Sequence, residues 1–199
     1  MMENKKINPR TGLLVLFILI VGTLRVLNSG ELTPFSNFTP IGAMALFGGA
    51  YFSDKWKAYL FPLLALWLSD VVMMQFVYKS DLSGLLYRGW YYNYIAFAGM
   101  VLIGQWIHKI TVMKFILGAV GAALFHWIVS DFGVWMSGGT NILTGQPFTR
   151  DFNGYLQCLD LAIPYLQRML LGNIMYGAIM FGTYELIKRK YPTLAYANA

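Results

Sequence analysis

The chain has 199 residues, of which 57% are hydrophobic and 12% charged. A water-soluble domain carries about 25% charged residues, so this chain lacks the polar surface to cover itself in water. The net charge of +6 does not mark a nucleic-acid partner, because the basic residues sit in short loops and at the ends and form no basic face.

Apolar runs near 20 residues long can cross the roughly 30 Å hydrocarbon core of a bilayer. Five such runs are predicted as helices, over roughly 11–27, 57–78, 89–107, 111–135 and 166–187. A sixth, roughly 40–52, is shorter and rich in Gly and Ala, and begins after Pro40. It reads as a short span, a tilted span or a re-entrant segment. The first run follows Lys5, Lys6 and Arg10, but no small-residue cleavage site comes after it, so it is expected to be a retained helix and not a secretory signal. The charges favour six crossings. With the N-terminus inside, ten of the 15 basic residues fall on the cytoplasmic side: Lys5, Lys6, Arg10, Lys55, Lys57, Lys109, Lys114, Lys188, Arg189 and Lys190. The expected fold is therefore an all-α membrane protein. It is one domain over 1–199, a six-transmembrane-helix bundle with both termini cytoplasmic in a bacterial inner membrane.

Small residues recur at four-residue spacing: Ala45 with Gly49, Gly118 with Ala122, and Ala119 with Ala123. Such pairs let membrane helices approach closely, and packing within one bundle is expected before oligomerisation. The connection over roughly 136–160 is the longest without an apolar run, and on this topology it lies outside. Arg150 and Asp151 within it read as a solvated pair.

Polar groups inside a membrane helix are costly unless they meet a partner or a wet cavity. Here they gather toward the outer ends of the predicted helices: Arg25, Asp70, Asn93, His126, Ser130, Asp131, Arg168 and Asn173. Glu185 is the exception at the cytoplasmic end. Trp90, Tyr94, Trp127, Trp135 and Tyr176 lie among them. A few polar groups set among aromatics are what a small-molecule pocket needs. The alternative is a set of structural pairs, Arg25 or Arg168 with Asp70 or Asp131, tying helix ends together. His126 and Ser130 are four apart on one helix face, beside Asp131. A proton relay or metal ligand is one reading of that His, and a hydrogen-bonded core His the other. One His is too few for a protein metal site, so no metal and no cofactor are expected. The single Cys158 excludes an intrachain disulfide and a Cys-based zinc site. It reads as a small apolar residue, or as a soft ligand to a metal-bearing substrate. The chain has no GxSxG, HExxH, GxxxxGKS/T or GxGxxG motif, so it is not read as an enzyme, and P-loop ATP hydrolysis is absent.

One stretch carries a resemblance. Asn37-Phe38-Thr39-Pro40, Ala43 and Ala45-Leu46-Phe47-Gly48-Gly49-Ala50-Tyr51-Phe52 resemble the signature of a bacterial membrane-protein family of unknown function. That family is itself similar to the substrate-binding S components of energy-coupling factor transporters. Leu68-Ser69-Asp70, Ser130-Asp131-Phe132-Gly133-Val134-Trp135, Cys158 with Ala162-Ile163-Pro164, and Leu171-Gly172-Asn173 with Tyr176 continue the likeness along the chain. The resemblance implies an S-component-like six-helix fold and an outward pocket for a vitamin or similar micronutrient. It also implies partnership with a membrane T subunit and ATPases, or solitary function. Residues 12–24 lack the AxxxA-type surface by which S components meet the T subunit.

The resulting expectation is a substrate-binding protein for micronutrient uptake. Arg25, Asn37, Asp70, Asn93, Tyr94, His126, Asp131, Trp135, Arg168 and Asn173 are expected around the substrate, with Gly48-Gly49 and the 136–160 connection as gates. The partners are then the substrate and the lipid bilayer, and a corrinoid is one candidate ligand. The alternatives are a non-transport subunit of a membrane complex, and a small intramembrane enzyme using His126 with Asp131 or Cys158.

Overall fold

The computed structural model describes residues 38–77, 86–107 and 110–191, together with Gly12, Leu16, Leu19, Ile20 and Thr23 of the first apolar run. In chain order the helices are α1 (Ile41–Tyr51), α2 (Lys55–Val72), α3 (Trp90–Gln105), α4 (Val112–Met136), α5 (Phe152–Leu161) and α6 (Ile163–Lys190). A π-helical turn, Met73–Val77, continues α2. The described part has no β-strand; Thr140 and Pro147 form an isolated bridge. Arg25, Asn37 and His108 lie outside the described residues.

Local chemistry sets the helix ends. Thr111 accepts the Lys114 N–H with its side chain and starts α4. The last carbonyls of α4, on Trp135 and Met136, accept from the Arg150 guanidinium at 3.1 and 2.7 Å. Asp151 accepts from the Gly154 N–H and the Thr149 hydroxyl and so caps α5. Arg150 and Asp151 are thus not a solvated pair: each serves the end of a different helix. A proline in the first turn opens α6, and Lys188, Arg189 and Lys190 close it against the negative end of the helix dipole. Gly89, at φ +79°, allows the turn into α3.

The shortest of the apolar helices is the core. Ten of the 11 residues of α1 are buried, and it packs against α2, α3, α4 and α6. At 1.5 Å per residue it is roughly 16 Å long, about half a hydrocarbon core. Its neighbours enclose it, so its ends are met by protein, the condition under which a short helix is tolerated at membrane depth.

Glycines make that enclosure tight. A Cβ on Gly49 would overlap the Val101 carbonyl oxygen, and one on Gly104 would overlap the Leu46 carbonyl oxygen. The α1 and α3 backbones therefore touch. Gly48 faces the ring of Pro62 on α2. Gly48-Gly49, expected to let a gate bend, admits close neighbours on two sides. Gly118, Ala119, Ala122 and Ala123 are likewise buried inside the bundle.

Among the described residues, three stretches are long and apolar enough to cross a membrane: Lys55–Gln75, Val112–Met136 and Ile163–Lys190. Their outer faces carry Leu60, Leu64 and Leu68 on α2, Leu117, Leu124 and Ile128 on α4, and Leu171, Met175 and Ile179 on α6, all exposed. Large apolar groups outside and Gly and Ala inside are the arrangement of a lipid-facing bundle.

The 136–160 connection is ordered and partly helical. Trp127 Nε1 donates to the Leu159 carbonyl at 3.1 Å, and the Tyr155 hydroxyl to Ile128 O at 2.9 Å. Cys158 Sγ lies 3.6 Å from Asp131 O. These contacts fasten α5 along the C-terminal half of α4.

Candidate functional site

A cavity of about 290 Å³ opens where the N-terminal ends of α1, α3 and α6 meet the C-terminal half of α4. Helix α4 supplies most of its polar wall. Ala123, His126, Trp127, Ser130, Asp131 and Val134 all line it, at spacings that keep them on one helix face. Asn93 and Phe97, one turn apart, come from α3; Tyr165, Leu166 and Met169 come from α6. Thr39 and Ile41 close it beside the start of α1.

A hydrogen-bonded chain runs along the wall. Asn93 Nδ2 donates to the Tyr87 hydroxyl at 2.8 Å, which turns the amide oxygen toward His126 Nε2 at 2.9 Å. Nδ1 of the same ring faces the Ser130 hydroxyl at 3.4 Å. The edge of His126 meets the Phe97 ring, with centroids 4.8 Å apart. Among the described residues, Asp131 is the single carboxylate on the wall, and no Lys or Arg lines it. Among the described residues no ion pair reaches it.

The other residues expected at a site lie elsewhere. Asp70 is buried and accepts from the Tyr94 hydroxyl at 3.2 Å; neither lines the cavity. Trp135 donates its indole N–H to Thr149 O at 2.7 Å and holds the connection to α5. Asn173 is fully buried, donates to Ala119 O at 3.2 Å, and leaves its Oδ1 without a hydrogen bond. That oxygen occupies the space a side chain at Gly42 would need. Arg168, half-buried in the first turns of α6, is not on the wall.

Cys158 is buried and is not on the wall either. Burial pushes its thiol up to about 11, so at neutral pH it is neither a thiolate nucleophile nor a ready soft ligand. Within the described residues no cluster of three His, Cys, Asp or Glu side chains is placed to hold a metal.

Of the wall residues that polarity alone does not reveal, Trp127, Ala123 and Val134 share the helical face of His126 and Ser130, and Phe97 lies four residues after Asn93. That spacing is the signal by which they can be found. Thr39, Ile41, Leu166 and Met169 carry none.

At the opposite end of the bundle the polar contacts are local: the Tyr51 hydroxyl donates to Glu185 Oε1 at 2.6 Å, and Lys188 Nζ lies 2.7 Å from the same oxygen.

No curated protein and no solved structure matches the chain. One family model does, over residues 5–194, and the chain belongs to that family, DUF6580, a family of unknown function.

Proposed function

We propose that the protein captures a small solute at the outward end of a six-span inner-membrane bundle and serves its uptake. The observation that carries this reading is the cavity. It groups Asn93, His126, Ser130 and Asp131 with aromatic rings in a bundle whose long helices expose large apolar side chains. Such a grouping is the ordinary form of a small-molecule site, and polar groups at membrane depth are otherwise expensive. The sequence resemblance to S components supports the same reading, with a vitamin-like micronutrient as the solute class. At about 290 Å³ the cavity is at the small end of ligand sites and holds roughly a dozen non-hydrogen atoms at protein packing density. That volume favours a single-ring micronutrient over an intact corrinoid.

The test is native mass spectrometry of protein purified in mild detergent, beside an Ala123→Phe variant that fills the cavity. A small molecule carried by the wild type and absent from a folded A123F protein is the expected result. Equal occupancy in both would place the ligand elsewhere and refute the cavity reading.

A further inference from the structure

Resting on that reading, we propose that the cavity selects a small organic cation: an ammonium or protonated ring nitrogen joined to a compact aromatic or aliphatic body. Three observations converge on it. Among the described residues that line the cavity, Asp131 is the one acidic side chain and there is no Lys or Arg. His126 is engaged along the wall, with Nε2 2.9 Å from Asn93 Oδ1 and Nδ1 3.4 Å from the Ser130 hydroxyl, and neither contact involves Asp131. Three further rings, Phe97, Trp127 and Tyr165, line the same space, and ring faces attract cations, most strongly where water is excluded.

The physics separates the ligand classes. A carboxylate in a low-dielectric wall with no protein cation is costly, and a cationic ligand supplies the missing charge. An anionic ligand would meet repulsion from an Asp131 carboxylate and find no Lys or Arg among the described wall residues to offset it. A neutral ligand would keep the apolar contacts but leave the carboxylate uncompensated. The Ser130 hydroxyl, one turn from His126 on the same wall, is placed to orient an N–H or O–H of the ligand body.

Three near-isosteric probes test this on the full chain in lipid nanodiscs at neutral pH: phenethylamine as the cation, 2-phenylethanol as the neutral form, and phenylacetate as the anion. Ligand that binds the native state raises its melting temperature by mass action. The expected result is a saturable shift with the amine, at least about tenfold tighter than with the alcohol, and none with phenylacetate. Asp131→Asn should erase the difference between amine and alcohol, and Ala123→Phe should erase both shifts. If the alcohol or the anion matches the amine, the cavity binds ligands but does not select cations: this proposal falls and the uptake reading stands. Retained amine preference in D131N would also overturn it. No shift with any probe, together with no co-purified molecule lost in A123F, would remove the cavity reading and this one with it. Should D131N fail to fold, the comparison of amine with alcohol on the wild type decides alone.

Discussion

The seam between α1 and α3 makes a sharp quantitative prediction. A Cβ on Gly49 would overlap the Val101 carbonyl oxygen and lie 3.0 Å from both Gln105 N and Gly104 Cα. All three neighbours are backbone, so none can swing aside. To restore a C···O separation of about 3.3 Å, the helices must part by roughly 1 Å along the most tightly packed line of the core. Overpacking of this kind costs about 1–3 kcal/mol, and the rigid neighbours put Gly49→Ala at the upper end. Replacing a helical Gly by Ala returns about 1 kcal/mol of propensity. The net loss is then about 2 kcal/mol. Gly121 provides the control, since a Cβ there meets nothing within 4 Å. Gly121→Ala should therefore stabilise by up to about 1 kcal/mol. Equilibrium unfolding of the two variants in mixed detergent, against wild type, measures both. Shifts of the same sign, or G49A equal to wild type, would refute the contact between the two backbones.

Two further outcomes follow from the α5 region. Cys158 is 3% exposed and its thiol is held up near 11, so N-ethylmaleimide at pH 7.5 should label it on the order of 100-fold more slowly than a free cysteine; fast labelling of native protein would show that α5 leaves α4 readily. The Thr149 hydroxyl and the Gly154 N–H hold the Asp151 carboxyl below its ordinary range. Because the folded value is the lower one, its stabilisation of α5 is complete above the unfolded pKa, near 4, and is lost as pH falls through the folded value. Hydrogen exchange at the start of α5 should then quicken in acid, and Asp151→Asn, which caps without titrating, should flatten that dependence; an unchanged profile in D151N would count against the cap.

The apolar runs from residue 40 onward are legible in the sequence as helices, because a lipid-facing helix must be apolar over its whole length and breaks only where Pro, Gly and charge collect. Their ends shift by a few residues where caps decide, as when α6 starts at Ile163 under a proline in its first turn. Helix α5 is hidden in a polar connection, yet Asp151 followed by Phe152, Tyr155, Leu156 and Leu159 is a cap before a helical stripe. The site is legible where polar residues share a face, as His126, Ser130 and Asp131 do. It is not legible from polarity alone. Trp135 and Asn173 donate to the backbone carbonyls of Thr149 and Ala119, a choice that depends on how other chain segments are placed. The apolar walls, Leu166 and Met169 among them, look like any core residue until three helices are placed around them.

The burial of α1 has a consequence for how the protein is made. This helix is synthesised before every described element that shelters it: α2, α3, α4 and α6 all follow it in the chain. Until they arrive, an 11-residue helix has too little length to rest stably across the bilayer as an independent span. Maturation must therefore include a late docking step, in which the wall helices close around a segment translated long before them. Premature termination anywhere before α6 would leave that segment without its last wall.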